Sequence, residues 1–570
     1  MNDEPAAATH PHPLPVIGNT SIRDVSVAQV GNKAYNLMRM SESSLPVPPA
    51  FVLTTDLCRA YDDNGRQLPA EVDDLLQRGV AILEQATNRS FGGSRRPLLL
   101  SVRSGAAASM PGMLDTILSI GLDDVTLPGL LRATGDPTFV WDSYRRFIQT
   151  YAEVVEGCRS EPFGAVIAEA LTREDVPGVD ELDVAALRTV VGRLQAAYHS
   201  LSGHPFPQDP MDQLRRAVES VFRSWFAPRA AAYRRLARLD DRAGTAVVVQ
   251  SMVFGNMGIN SGSGVGFTRD PATGEDHLYV DFLLNAQGED IVAGRHATGD
   301  SDALIATVPG LAHQLQQIRK RLEAVFHDAQ DFEFTVQDGI LWMLQTRSAK
   351  RTPLAALRIA CALVDEGLID PCTAVQRLDG YDLDSISTAR LDTNVAPIGF
   401  GTAAGNGVAS GRVALSVESA QRLAGTGDSV ILVRSAATTD DIAGLAVCTG
   451  LVTAYGARTS HAAVVARQLG VVTVVSCRPM SIDLSRELVR FDEHEIAQGD
   501  AITVDGDDGR VFAGQLELTI DRPTALIERA RAWQASETSR GRATCAPGTS
   551  PSPEDEVPEG ASQSENSSTR

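Results

Sequence analysis

Asp331-Phe332-Glu333-Phe334-Thr335-Val336-Gln337-Asp338-Gly339-Ile340-Leu341-Trp342-Met343-Leu344-Gln345-Thr346-Arg347 is the stretch on which the fold turns. Its first half alternates polar and apolar residues, so Asp331, Glu333 and Thr335 share one face of a strand. Gln337-Asp338-Gly339 reads as a three-residue hairpin turn with the glycine in the left-handed region. In that register Asp331 lies opposite Gln345, and Arg347 extends the same face. A two-residue Asp-Gly turn would put the two groups on opposite faces. Adjacent carboxylates beside a glutamine and an arginine suit a magnesium ion held against a polyphosphate. The same spacing also describes a solvated sheet face with ordinary charges.

Two earlier stretches carry matching chemistry. Ser101-Val102-Arg103-Ser104-Gly105-Ala106-Ala107-Ala108-Ser109-Met110-Pro111-Gly112-Met113 is a strand that delivers Arg103 into a run of small residues. Small residues let a backbone approach a ligand closely, and a guanidinium forms forked hydrogen bonds to phosphate. Gly31-Asn32-Lys33 precedes the helical Ala34-Tyr35-Asn36-Leu37, where a glycine turn feeding a helix start offers backbone N–H groups to an ATP phosphate. Lys33 is one of only three lysines, with Lys320 and Lys350, in a chain that otherwise uses arginine. A surface lysine and a flexible turn are the plain alternatives. Glu289, in Asn285-Ala286-Gln287-Gly288-Glu289, offers a third carboxylate on the metal side.

The remaining chain divides by texture. At 570 residues it is too long for one core. Residues 1–18 read as a flexible leader, and 541–570, rich in Gly, Pro, Ser, Thr and acids, as a disordered tail. The block 19–352 mixes strands and helices. It holds a helical insertion at about 139–238, where Leu214, Val218, Val221, Phe222 and Trp225 recur at three and four. A helical and flexible linker follows over 353–406, its Gly, Ala and Thr-rich part near 385–406. Val-rich strands with glycine turns fill 407–517, and a linker helix occupies 518–540. The fold class is α/β and α+β, in several domains.

A balance of 51 basic against 72 acidic residues, net −21, argues against nucleic acid as a partner. No apolar run reaches membrane-spanning length. Seven scattered cysteines without a Cys-x-x-Cys pair argue for a reduced, cytoplasmic setting and against a disulfide framework or structural zinc.

Ser460-His461-Ala462-Ala463-Val464-Val465-Ala466-Arg467 is the sharpest feature. Thr459 or Ser460 caps a helix whose first turn carries His461, and the alanines leave the imidazole approachable. Helix N-terminal N–H groups would stabilise a phosphate on its ring nitrogen. Histidine is nucleophilic at neutral pH and leaves readily, which suits it to carry a phosphoryl group. An incidental histidine is the alternative, since ten are present.

Gly31–Leu37, Ser101–Leu118, Asp142–Ile148, Phe206–Leu214, Gln250–Gly288, Asp331–Thr352 and Thr459–Arg467 together resemble the pyruvate, phosphate dikinase family in order and spacing, from about residue 19 to about residue 535. The resemblance implies an ATP-grasp-like nucleotide-binding domain over 19–352 and a swivelling β/α phosphohistidine domain over 407–517. It implies that Lys33, Arg103, Arg146, Gln345 and Arg347 bind ATP, and that Asp331, Glu333 and Glu289 hold Mg2+. It makes His461 the transiently phosphorylated residue. Thr459 matches a threonine phosphorylated for regulation in plant enzymes, and here a capping role is favoured.

Two departures stand out. Family members continue into a (β/α)8 barrel that binds pyruvate and phosphoenolpyruvate, whereas this chain ends after its linker helix. Gly401-Thr402-Ala403-Ala404-Gly405-Asn406-Gly407 lacks the proline-glycine pair usual in the docking segment. The implied activity is ATP-dependent phosphorylation of His461 with phosphate as co-substrate, and transfer to pyruvate on a separate barrel-bearing protein. Homodimerisation stays open. The alternatives are a phosphotransferase with another acceptor, a non-catalytic nucleotide-binding regulatory subunit, and a self-phosphorylating remnant.

Overall fold

The structure, a computed structural model, describes residues 14–108, 110, 116–236, 239–292, 310–391, 393–437, 441–456 and 461–539. The leader before residue 14, Met113, Thr459, Ser460 and the tail 541–570 lie outside the described residues. No helix among the described residues is long and apolar enough to cross a membrane.

Two antiparallel sheets form the first body. A 5-stranded sheet runs in the order Val16–Ile17, Ala50–Leu53, Ala246–Ser251, Leu100–Gly105, Thr116–Ile120. Ala246–Ser251, a Val-rich run buried at every position, is its central strand, as β-branched side chains favour. A 4-stranded sheet runs Ile340–Ser348, Gln330–Gln337, Gly262–Phe267, Tyr279–Leu284. The helix Val27–Glu42 joins the two, since Ala34, Leu37 and Met38 share one buried cluster with Val248, Phe332, Phe334 and Met343. Residues 1–18 are therefore not leader throughout: Val16 and Ile17 pair with Phe51 and Ala50 as an edge strand.

Helices Leu127–Thr134, Pro137–Val154, Glu161–Glu174, Val184–Ser202, Pro210–Trp225 and Pro228–Leu236 make the helical insertion. Asp136, Asp183 and Asp209 accept backbone N–H bonds at three of its helix starts. Phe206 is ringed edge-on by Tyr144, Phe147, Tyr151 and Tyr198, which fixes the helices about one apolar centre.

The second body is a closed barrel of seven strands in the order Gly399–Gly405, Val472–Arg478, Gly450–Thr453, Val430–Arg434, Val408–Ala414, Ala501–Asp505, Arg510–Ala513. The boundary expected at 407 is corrected. The Gly, Ala and Thr-rich segment is the barrel strand Gly399–Gly405, not a flexible connection. Apart from the exposed Phe400, its residues are small because neighbouring backbones cross it: a Cβ on Gly401 would lie 2.6 Å from Val475 O, and one on Gly405 2.8 Å from Val471 O. Helix Pro353–Asp365 packs with Pro371–Leu378 and with Thr524–Ser539 in a cluster of its own. Between that cluster and the barrel, Thr388–Arg390 and Thr519–Asp521 pair as a two-stranded antiparallel ribbon. Cys58, Cys158, Cys361, Cys448 and Cys477 are free thiols.

Candidate functional site

The hairpin register differs from the expected one. Asp338 and Gly339, with φ of 51° and 79°, make a two-residue turn in which Gln337 pairs with Ile340. A bulge then shifts the ladder between Glu333 and Phe334, so Asp331 stands opposite Arg347 and Glu333 opposite Gln345. Leu344 is the extra residue. The bulge, not the turn, returns both carboxylates to the face that carries Gln345 and Arg347.

The bulge has a partner in the other sheet. Arg103, on Leu100–Gly105, donates from Nη1 to the Leu344 carbonyl at 3.2 Å, and its Nη2 lies 3.5 Å from Glu333 Oε2. Arg347 Nε bonds Asp331 Oδ2 at 2.7 Å, with the Asp331 carboxylate buried. Lys33 enters the same group from the helix Val27–Glu42. One turn further along, the buried Asn36 donates from Nδ2 to the Thr346 carbonyl at 2.9 Å and pins that helix to the hairpin.

The charges in this cluster are mutually tuned. Burial, then the guanidinium of Arg103 and that of Arg347, lower Lys33 from 10.5 to about 7, with Glu333 acting in the opposite direction. Burial raises the Asp331 carboxyl; Arg347, and more weakly Arg467, oppose it. Burial would lower Arg347, but the Asp331 carboxylate outweighs it and holds the guanidinium above its ordinary value. Lys33 therefore stands at the edge of losing its proton until a further anion arrives.

Gly31 acts differently from the expected helix start. The helix begins at Val27 with a Ser26–Gln29 capping box, and Gly31, at φ 75°, kinks it. A Cβ there would lie 2.0 Å from Gly105 O, so the kink seats the helix on the strand that carries Arg103. The Asn32 N–H is not open to a ligand, because it donates to Ala106 O at 3.0 Å.

Arg146 forms a second cluster. On the helix Pro137–Val154 it binds Asp142 through Nε at 2.7 Å and Asp290 through Nη1 at 2.9 and 3.1 Å. Burial would lower it, but these two carboxylates hold its guanidinium above the ordinary value. Glu289 lies beside Asp290 within the helix Gly288–Val292. Among the described residues no three or more His, Cys, Asp or Glu groups are gathered as a metal cluster.

His461 opens the helix His461–Gln468, which crosses from Gly450–Thr453 to the parallel strand Val472–Arg478. It thus stands at the carboxyl end of a parallel strand and at a helix N-terminus, the place where α/β folds collect anions. Just after the strand Gly450–Thr453, Ala454 N donates to Arg434 O at 3.1 Å and Tyr455 N to Ser435 O at 2.8 Å. Asn36, the Leu344 bulge and Asp290 are site features that the sequence reading did not single out. For Asn36 the signal was a polar residue on the apolar face one turn after Lys33.

These two bodies correspond to two domain classes. Residues 64–311 match the pyruvate phosphate dikinase AMP/ATP-binding domain, and residues 426–509 match the mobile domain of PEP-utilising enzymes. The chain is similar to pyruvate, phosphate dikinase of Clostridium symbiosum, with 40% identity over 522 residues, 90% of this chain and 59% of that protein. It is 42% identical to that of Rhizobium meliloti (strain 1021) over 504 residues, 86% of this chain and 56% of the other. It is 39% identical to the chloroplastic pyruvate, phosphate dikinase 1 of Zea mays over 513 residues, 89% and 53%. The chain therefore spans between 53% and 59% of the length of these relatives. A mobile domain of PEP-utilising enzymes thus lies in this same chain as the AMP/ATP-binding domain, over the region that the sequence reading placed within 407–517.

Proposed function

We propose that this protein is an ATP-dependent phosphotransferase of the pyruvate, phosphate dikinase type that works through a phosphorylated His461. The reading is carried by the cluster of Lys33, Arg103, Glu333, Asp331 and Arg347, where three cationic side chains and two carboxylates from separate elements converge. Its two sheets act as the two halves of an ATP-grasp domain, with the polyphosphate between Arg103 on one and the hairpin on the other.

In the first step a ring nitrogen of His461 attacks the β-phosphorus of ATP. The bond from that phosphorus to the oxygen bridging to the α-phosphate breaks, and AMP leaves with the electron pair. Inorganic phosphate then attacks the outer phosphorus of the histidine-bound diphosphate. Pyrophosphate leaves, and one phosphoryl group stays on His461 for transfer to pyruvate, the acceptor named for the relatives. Lys33, Arg103 and Arg347 neutralise the charge that develops on the phosphate oxygens. Gln345 donates to the nucleotide beside Glu333, and Arg146 grips it from the helical insertion.

Mg2+ fits this donor set as a shared ion rather than a caged one. Asp331 and Glu333 supply carboxylate oxygens, with Glu289 available from its helix, and substrate phosphates complete the shell. The ion would draw charge from the β- and γ-phosphates. Both hairpin carboxylates meanwhile sit against arginines, which a bound phosphate would share.

The test is labelling with ATP carrying β-phosphorus label, with magnesium and phosphate, on wild type and His461→Ala. Acid-labile label on wild type only, with AMP formed, is the expected result. ATP bound but no label on either protein would refute phosphoryl transfer.

A further inference from the structure

The helix that opens with His461 carries a deeply buried guanidinium near its other end. Arg467 is 1% exposed, so its charge must find its compensation inside the protein. Its Nε and Nη2 both donate to the Ala404 carbonyl, at 3.2 and 2.9 Å. Its guanidinium also lies 5.6 Å from the ring centroid of Phe267, within the range of a cation–π contact. Ala404 belongs to the barrel strand Gly399–Gly405, whereas Phe267 belongs to the body strand Gly262–Phe267. One side chain thus touches both bodies.

The contact is built from both sides. Phe267 is itself 1% exposed and meets Tyr279 edge-on at 6.0 Å. Tyr279, also of the first body, donates its hydroxyl to Ala403 O at 3.4 Å. Consecutive carbonyls of one barrel strand are therefore taken by the body's Tyr279 and by the histidine helix's Arg467. Phe267 in turn pairs across the ladder with Asp331. A chain of direct contacts runs from the His461 helix through Arg467 and Phe267 to the strand that carries both hairpin carboxylates.

We propose that Arg467 is a positioning residue for the ATP half-reaction: seated on Phe267, it fixes the His461 helix in its transfer orientation only while the barrel is docked on the nucleotide body. This rests on the function proposed above. Arg467 touches no reacting atom; it acts through the helix it belongs to and through the docking contact.

Two variants on opposite bodies test it. Arg467→Gln keeps a donor for Ala404 O but removes the cation, and Phe267→Leu removes the ring without altering the barrel. Each is expected to slow single-turnover labelling of His461 by about three- to thirtyfold, with equilibrium binding of a non-hydrolysable ATP analogue unchanged. The double variant is expected to be no slower than the slower single, because both changes break one contact. Phe267→Trp, which keeps an aromatic face, is expected to retain the wild-type rate. Arg467→Met, which also removes the cation, serves if Arg467→Gln does not fold. Losses that multiply in the double variant, or wild-type rates in either single, would overturn the proposal.

Small-angle scattering separates this from failure of the function itself. If wild type takes no label at His461, the phosphotransfer reading fails; the radius of gyration still reports the docking contact, expanding in Phe267→Leu if the contact holds the bodies together. An unchanged radius in that variant would overturn the docking role.

Discussion

The nucleotide body and the barrel build their sites from different materials. In the body, side chains do the work: Arg103, Arg347, Lys33, Asp331 and Glu333 come from four elements, and their charges act on the protonation of Lys33 and Asp331. In the barrel, backbone does it. Glycines let strands cross closely, main-chain hydrogen bonds hold Ala454 and Tyr455 at the end of a parallel strand, and the helix N-terminus itself supplies the anion-favouring field. A site made of buried charges is sensitive to pH and to loss of any one partner. A site made of close backbone is sensitive above all to bulk.

Breaking the charged site should cost most. Arg347→Met leaves the buried Asp331 carboxylate without its 2.7 Å partner. It is expected to destabilise the first body by about 3 kcal/mol, read by chemical denaturation at neutral pH, and the loss should shrink at acid pH as Asp331 takes up a proton. The barrel counterpart is Gly506→Ala, whose Cβ would meet Gly405 O at 1.8 Å. A loss of about 2 kcal/mol is expected, the same at pH 6 and pH 8; a pH-dependent loss would erase the contrast drawn here.

Lys33 sharpens the comparison through protons. Its pKa of about 7 lies below its ordinary 10.5, so between those values the unfolded chain holds a proton that the folded protein has released. Stability attributable to Lys33 therefore rises with pH across that window, and Lys33→Met should flatten the rise. Binding of a polyphosphate restores the charge. Calorimetry at pH 8 in buffers of different ionisation enthalpy should register uptake of about one proton, absent in Lys33→Met. The smallest effect belongs to Arg412→Ala, which breaks the exposed pair with Asp428 at 3.0 Å on the barrel surface. It is expected to change stability by less than about 0.5 kcal/mol, and a larger loss would mean that surface charge matters in the barrel as well.

What was legible in the sequence follows the same division. The hairpin's alternation named Asp331, Glu333, Gln345 and Arg347 as residues of one face, but their register was not readable there. It depends on a bulge at Leu344 whose carbonyl is met by Arg103, distant in the chain and set in another sheet. Likewise the Arg146–Asp290 pair joins two segments that no local pattern relates. The strand Gly399–Gly405 was misread as linker because local composition favours a loop; only the neighbouring strands explain why bulk is excluded from it. Lys33 stood out through rarity, and no sequence pattern could reveal that its proton is loosely held.

The ribbon of Thr388–Arg390 and Thr519–Asp521 has a consequence for how such a gene is assembled. Arg390 and Thr519 are paired neighbours although the whole of 391–518 lies between them. None of the three buried clusters of the remaining chain, as described, takes a side chain from 391–518. The segment is thus spliced into its host at a single point, where cutting after Arg390 and resuming at Thr519 across a short turn would restore an ordinary hairpin. A domain bounded in this way is a cassette: it is open to removal, replacement or transplantation by recombination at one locus, the host giving up only the contacts that Phe267 and Tyr279 make with Arg467 and Ala403.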